Sequence, residues 1–379
     1  MTGADVPEEQ KAGWASFIKS LARMTGDLST MTAPPFILSP TSLTEFPAYW
    51  CQHPEEFAAI SEGENEFDRM ERVLRWFIGT LRAQYTTRNE KMGSEKKPLN
   101  PVLGELFYGV WPDKNGRGET RLIVEQVSHH PPVRIYPHSC SYIENQKAGV
   151  ILQGHSGQKT AFTGTAINVK QSGHAVLIIK PKNGQPEEKF LITLPKLRIE
   201  GIVWGSPYIE LTENNAIQSN TGYTAQACKG YFSGKAHSFK ATINSPNNKP
   251  IQTYEGQWTG VSHVGKAKSG PVFLDSTQGM EEVAVKPIEE QGEWESRKLW
   301  EKVAKGIKNG NYEEAGREKS RIENDQRQRR KDEQVANSTW QHVHFTHVDN
   351  DNEYQALAAL LHDKLIPAHD DAYIFKSNI

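Results

Sequence analysis

Two adjacent histidines, His129 and His130, are the residues of this chain best suited to chemistry, and they lie in the run EQVSHHPP at residues 125–132. The preceding residues 121–124 are mostly apolar and predict a strand. The two prolines must end regular strand pairing, because neither can donate a backbone hydrogen bond. Imidazole N–H groups bind phosphate oxygens, so the pair could bind an anion. A hydrogen-bonded pair of histidines at a barrel rim is an equally simple interpretation. On an extended backbone neighbouring side chains point to opposite faces, so one ligand reaches both only if the strand bends or the ligand wraps its end.

A second charged set lies near the end of the chain. Lys319, Glu323 and Arg327 are spaced i, i+4 and i+8, which places them on one stripe of a helix. Opposite charges at this spacing commonly decorate an exposed helix face. The spacing alone therefore favours a solvated stripe over a functional one.

Other candidate motifs point away from catalysis. The segment KGYFSGK at 229–235 lacks the glycine spacing and the Ser or Thr of a P-loop, so it predicts a hairpin. His342, His344 and His347 have no supporting carboxylate at metal-site spacing, and we expect no metal there. No nucleophile motif accompanies His129 and His130. We therefore expect a binding protein with no catalytic residue and no cofactor.

Composition narrows the class of protein further. The chain has 379 residues, is 36% hydrophobic and carries a formal net charge of −2, which gives no overall attraction to nucleic acid. It has no apolar run long enough to span a bilayer and no signal-peptide pattern at its start. Its three cysteines are widely separated in sequence, which is typical of a reducing compartment. We expect a cytoplasmic protein.

The periodicity of apolar residues changes twice along the chain. Residues 64–89 predict a long amphipathic helix, residues 105–274 contain many short strands, and helices return after Pro287. Residues 39–41 predict the cap of a short helix that ends at about Trp50, Trp294 to Ile307 predict one helix, and Asn311 to about Val335 predict another. So many strands must close into a barrel or split into two layers, and a large barrel would enclose a cavity. We expect a β-rich α+β fold in a single domain, divided as follows: a lid at 1–32, a helical part at 33–104, a β-barrel at 105–275 and C-terminal helices at 276–379.

The first helix has one apolar face. Trp14, Phe17, Ile18, Leu21 and Met24 follow i, i+3, i+4, i+7 spacing. Such a helix packs on its own core, or covers a cavity when closed and meets a membrane when open. The two interpretations are compatible.

Several motifs together resemble the oxysterol-binding-protein family, in its short, single-domain fungal form. They are EQVSHHPP, APPFILSP from residue 33, GSEKKPLNP from residue 93, GELF from residue 104 and GYFSGK from residue 230. The resemblance extends from about Trp14 to Trp340. It implies a large, incompletely closed antiparallel β-barrel around a lipid tunnel, with an N-terminal helical lid and flanking C-terminal helices.

The resemblance also implies roles for individual residues. The phosphoinositide head group would meet Lys97, Asn100, His129, His130, Lys319, Glu323 and Arg327. The sterol or acyl tunnel would be lined by Leu28, Met31, Trp50, Gln84, Tyr85 and Gln171. The lid would meet membranes through Trp14, Phe17, Ile18 and Leu21. Two departures concern the sterol: Met31 replaces a usual leucine, and no asparagine occurs near residues 155–157, where the short members have one.

The implied function is exchange of phosphatidylinositol 4-phosphate and sterol between membranes, through one tunnel. We expect a monomer that visits organelle membranes transiently, those of the Golgi and endoplasmic reticulum. Three alternatives remain open: a lipid-dependent sensor acting through protein partners, an exchanger of phosphoinositide and phosphatidylserine that binds no sterol, and a lipid hydrolase using the paired histidines.

Overall fold

The computed structural model of the chain describes most of its length. The described residues are 15–17, 19, 20, 23, 35–92, 96–128, 138–181, 184–204, 206–229, 235–266, 269–338, 340–361 and 372–376. Within them, no helix is both long enough and apolar enough to cross a membrane.

One antiparallel sheet of 14 strands dominates the fold. A separate parallel pair precedes it, formed by β1 (Leu38–Ser42) and β2 (Lys97–Leu99). The strands of the large sheet are β3 (Leu106–Trp111), β4 (Thr120–Ser128), β5 (His138–Asn145), β6 (Val150–Phe162), β7 (Ile167–Ile179), β8 (Glu188–Thr193), β9 (Leu197–Glu200), β10 (Tyr208–Leu211), β11 (Asn215–Ser219), β12 (Thr224–Lys229), β13 (Ser238–Asn244), β14 (Pro250–Gln257), β15 (Val261–Val264) and β16 (Val272–Asp275). Their order is β3-β4-β5-β6-β7-β8-β11-β12-β13-β14-β15-β16, with β9 pairing β7 and β10.

The helices lie at both ends of the chain. The α-helices are α1 (Pro54–Ala58), α2 (Glu66–Met92), α3 (Ser296–Leu299), α4 (Glu301–Lys308), α5 (Tyr312–Val335) and α6 (Asn352–Ala358). Short 3-10 helices occur at Pro35–Ile37, Leu43–Cys51, Ala59–Glu62, Ile202–Trp204 and Ile288–Glu290.

Helix α2 packs against the large sheet. It packs on β10, β12 and β16, while the 3-10 helix Leu43–Cys51 packs on β3, β4 and β5. The core therefore joins both ends of the sheet through the helical N-terminal part. At the start of α2 the fully buried Arg69 donates to Glu188 of β8 at 2.6 Å, and Ser219 donates to the same carboxylate at 2.7 Å. This satisfied ion pair fixes the helix relative to the sheet.

The barrel is incompletely closed. In the described part of the chain, β3 and β16 are edge strands that do not pair with each other. The segment that follows β16 instead runs along β3: Val110 and Ala284 exchange backbone hydrogen bonds of 2.9 Å, and the Leu106 N–H donates to the Trp294 carbonyl at 2.8 Å. The structure thus confirms the expected fold, a β-rich α+β protein with an incomplete antiparallel barrel.

The C-terminal segment packs on the outer face of this barrel. An antiparallel pair of strands, β17 (Phe345–Val348) and β18 (Ala372–Phe375), lies near β4 and β5, where Phe345 packs on Val127 and Cys140. Tyr354 and Leu357 of α6 cover Val176 and Leu191. The described residues after Trp340 therefore pack on the barrel as part of the same fold.

Local predictions were confirmed in most places and wrong in two. The predicted helix at 64–89 is α2, and the predicted helix from Asn311 is α5, which Asn311 caps. The segment around 39–41, predicted to cap a helix, is strand β1, and Ser42 is the cap. Trp294 was placed in a helix running to Ile307, but it precedes α3, and Trp300 separates α3 from α4.

Candidate functional site

Lys97 lies on β2, against the helix that carries the second charged set. Leu38 of β1 is its register partner, and both Leu38 and Leu99 are buried in a small apolar cluster. Ile322 of α5 joins this cluster, together with residues of α4. Apolar packing on the buried faces of β2 and α5 therefore brings their polar side chains together.

Lys97, Lys319 and Glu323 form one electrostatic group. Burial is the main reason that the pKa of Lys97 is lowered to about 8, and the charge of Lys319 lowers it further, while Glu323 opposes the change. Lys319, itself only 14% exposed, makes a short ion pair with Glu323. Two cations thus share one carboxylate at a half-buried position, which leaves a local excess of positive charge.

Arg327 and Asn100 lie at the exposed margin of this group. Arg327 continues the stripe of α5, but it is exposed and donates to the Asn324 side chain at 2.5 Å. Asn100 directly follows β2 and is also exposed. The structure therefore gathers three of the predicted head-group residues closely and leaves these two facing solvent.

The histidine motif is described only as far as Ser128; His129 and His130 lie outside the described residues. Ser128 ends β4 and pairs with His138, the first residue of β5. The motif's Glu125 is fully buried and accepts hydrogen bonds from the backbone N–H groups of Val343 (2.9 Å) and His344 (2.8 Å). Burial opposes its ionisation, but His342 and these N–H groups lower its pKa below the ordinary value. Glu125 therefore anchors the C-terminal segment to the strand that leads to the histidines.

A second buried carboxylate, Glu105, holds the adjoining loop. It accepts from the Val102 N–H and the Trp300 indole, both at 3.0 Å, and from the Ser296 hydroxyl. Its backbone carbonyl accepts from the Gln126 N–H at 2.9 Å. This ties the loop after β2 to the motif strand and to α3.

Arg329 fastens the same loop to α5. Its guanidinium lies between the rings of Trp294 (4.6 Å) and Trp340 (4.7 Å) and donates to the Leu103 carbonyl at 2.6 Å. Gly104 has φ +81, and a Cβ there would lie 2.3 Å from the Trp340 ring. Sequence reasoning quoted Gly104 and Glu105 within a motif but assigned them no role, and it missed Arg329.

Four of the predicted tunnel residues, Trp50, Gln84, Tyr85 and Gln171, lie in the described part of the chain. The Gln171 amide donates to the Tyr85 hydroxyl at 3.1 Å and to the Pro195 carbonyl at 2.7 Å, and Tyr85 packs edge-on against Trp258. Gln84 instead donates to Thr80 at 2.9 Å. Trp50 packs on Trp76 and Phe77. Tyr85 and Gln171 are thus brought together, beside a small cavity whose walls include Leu81 and Trp258.

Most of the N-terminal candidates lie outside the residues that the structure describes. Trp14, Ile18, Leu21, Leu28 and Met31 lie outside the described residues. Phe17 is half-buried and packs against both the main core and the cluster around Leu38.

The three histidines near the C-terminus face polar side chains of the fold. His344 shares a 2.7 Å hydrogen bond with the Tyr108 hydroxyl, His342 faces Glu125 and His347 faces Asp349. Strands β12 and β13 pair antiparallel on either side of the segment for which a hairpin is predicted, and residues 230–234 of that segment lie outside the described residues.

Comparison with known proteins identifies the family. The model of the family described as "Oxysterol-binding protein" matches residues 16–307. Protein KES1 of Mycosarcoma maydis is 56% identical over 387 residues, covering 100% of this chain and 98% of that protein. This chain therefore belongs to the oxysterol-binding-protein family, as its motifs predicted.

Solved structures agree with the fold. The Osh1 ORD domain in complex with ergosterol has a TM-score of 0.74 at 20% identity, covering 96% of this chain and 86% of that chain. The Osh3 ORD of Saccharomyces cerevisiae in complex with PI(4)P has a TM-score of 0.66 at 22% identity, covering 91% of this chain and 88% of that chain.

Proposed function

We propose that this protein binds phosphatidylinositol 4-phosphate and a sterol in one tunnel, one molecule at a time, and exchanges them between membranes. The observation that carries the proposal is the convergence of Lys97 and Lys319 around one carboxylate. Family membership adds to it, as do the ligands of the two structural relatives, ergosterol and PI(4)P.

The charged group suits a phosphomonoester. Such a group carries about −1.5 to −2 charges near neutral pH and needs several donors when it leaves water. Lys97 and Lys319 supply charge that Glu323 only partly neutralises. Asn100 and Arg327 would close over the head group from the exposed side. We assign His129 and His130 to the same site because their strand is joined to the Lys97 loop through Glu105.

The interior suits an apolar ligand with one polar end. Tyr85 and Gln171 form a polar pair among core side chains. A hydroxyl could contact this pair directly or through a water molecule. We assign Trp50 and Gln84 to the same wall, with Leu28 and Met31 at its mouth and the helix of Trp14, Phe17, Ile18 and Leu21 as the lid.

A liposome extraction assay tests the head-group assignment. Lys319→Met should abolish extraction of phosphatidylinositol 4-phosphate and leave extraction of sterol in place. Lys331→Met, a change at an exposed lysine of the same helix, is the matched control. Phosphoinositide extraction that is equal in the two variants would reject the site.

Vectorial exchange between two liposome populations tests the transfer function. Sterol should move faster when phosphatidylinositol 4-phosphate is present in the opposite liposomes. Binding without coupled movement would favour a sensor, and movement of phosphatidylserine in place of sterol would favour the other exchanger.

We propose a monomeric, non-enzymatic, cytoplasmic protein that meets Golgi and endoplasmic-reticulum membranes transiently. Release of free phosphate from the lipid would contradict the proposal that the protein is not an enzyme.

A further inference from the structure

A tryptophan is held in solvent at one tip of the barrel. Trp204 is 79% exposed and its neighbour Val203 is 38% exposed, on the 3-10 helix that joins β9 to β10. Large apolar side chains at such exposure leave most of their surface in water, which is unfavourable unless a partner covers them.

The described residues on either side of Trp204 anchor it to the fold. Ile202 is only 6% exposed and belongs to the main core. The backbone N–H groups of Trp204 and Ser206 both donate to the Gly201 carbonyl, at 3.1 and 3.2 Å. The tryptophan is therefore presented in a fixed place, so little ordering cost remains to be met when a partner binds.

Strand registers place this turn at the same end of the barrel as the candidate head-group site. The outer end of β9 pairs with Ile167 of β7, directly beside the turn between β6 and β7. β4 reaches the same end of the sheet at Ser128, where its pairing with β5 begins. Trp204 thus lies on the rim at which β4 ends.

The outer surface just below this rim is basic. Lys159 of β6 and Lys170 of β7 are exposed and lie directly opposite each other in register. Arg198 of β9 extends the row and pairs with Glu200 at 2.8 Å.

We propose that Val203 and Trp204 insert into the interfacial region of an anionic phospholipid bilayer, with Lys159 and Lys170 facing its surface. An indole ring has an apolar body and one N–H donor, which suits the boundary between head groups and acyl chains. Lysines near that boundary are attracted to anionic lipids. The inference rests on the proposed function in one respect, that the rim must meet a membrane for lipid to enter or leave.

Vesicle binding by the full chain tests the proposal. Vesicles of phosphatidylcholine with phosphatidylserine, some carrying brominated acyl chains, report both partition and quenching of tryptophan fluorescence. Trp204→Ala should lower partition about tenfold or more and remove a quenched component, because the apolar surface of the indole no longer enters the bilayer. The partition of Trp204→Phe should lie between those of the wild type and Trp204→Ala. Val335→Ala, at an exposed apolar side chain (89%) on the end of α5, is the matched control and should behave as the wild type.

A separate measurement distinguishes this proposal from the lipid-exchange function. Binding of a fluorescent sterol delivered without vesicles should be equal in Trp204→Ala and the wild type. Loss of sterol binding in every form of the protein would count against the exchange function and leave the membrane result standing. Equal partition and equal quenching in the wild type and Trp204→Ala would overturn the proposal that Val203 and Trp204 insert into a bilayer, and would leave a protein as the partner of this turn.

Discussion

The lowered pKa of Lys97 predicts that phosphoinositide binding weakens between pH 7 and pH 9. Burial and the neighbouring Lys319 lower this pKa to about 8. The protonated fraction of free Lys97 then falls from about 0.9 at pH 7 to about 0.1 at pH 9. If only the protonated form binds phosphate well, the apparent affinity falls by about the same factor, roughly tenfold.

The charge of the ligand changes little in this window. The second ionisation of a phosphomonoester lies near pH 6, so the ligand is already doubly charged at pH 7. Histidines titrate mainly below pH 7. The decline above pH 7 therefore reports the lysine.

Calorimetric titration with a short-chain, soluble phosphatidylinositol 4-phosphate measures the effect without membranes. Lys97→Arg should give an affinity that is flat from pH 7 to pH 9, because a guanidinium stays charged throughout. Lys97→Met should bind more weakly and also be flat. A constant wild-type affinity across this range, or an unchanged decline in Lys97→Arg, would refute the reasoning.

Four further predictions concern stability, measured by denaturant unfolding. Glu125→Gln should cost about 1–3 kcal/mol, because two buried N–H groups of the C-terminal segment lose a charged acceptor. Glu188→Gln should cost about 3 kcal/mol or more, because it leaves a fully buried arginine without its counter-charge. Arg329→Lys should cost about 1–2 kcal/mol, because an ammonium cannot stack between two indole rings. Wild-type stability should rise between pH 8 and about pH 10, because folded Lys97 has lost its proton there while the unfolded lysine still binds one, and Lys97→Met should lack that rise.

Each change has a control on the same element or an outcome that contradicts it. Glu119→Gln, exposed next to β4, and Glu187→Gln, exposed next to Glu188, should both be near neutral. A Glu125→Gln protein whose C-terminal segment resists proteolysis as the wild type does would contradict the anchor. Full stability of Arg329→Lys would show that hydrogen bonding to Leu103, and not stacking, holds the loop.

The sequence predicted the elements well because their signals are local. A period of two over residues 105–274 and a period of three to four over residues 64–89 follow directly from which face each side chain buries. The ion pair of Lys319 and Glu323 also follows from spacing within one helix. Family motifs added the incomplete closure of the barrel, which periodicity alone left open.

Contacts between distant segments could not be predicted from such local signals. Lys97 approaches Lys319 because Leu38, Leu99 and Ile322 pack together. The spacing of these three apolar residues in the sequence does not predict that contact. Glu105 and Glu125 resemble ordinary surface carboxylates in sequence, yet both are fully buried and satisfied by hydrogen bonds. Their burial follows from partners that are distant in the chain.

The charge on Lys97 has opposite effects on folding and on binding. A lysine whose pKa is lowered in the folded protein binds fewer protons there than in the unfolded chain, so below pH 8 its charge destabilises the fold. The fall from 10.5 to about 8 corresponds to about 3 kcal/mol at neutral pH. A phosphate beside Lys97 stabilises that same charge and offsets the cost, so part of the ligand's affinity is relief of the cost of a buried charge, which the neighbouring Lys319 increases, in the empty site. As the pH rises past 8, the free protein must therefore become more stable while its affinity for phosphoinositide falls. If both quantities moved in the same direction, Lys97 would not be the titrating group.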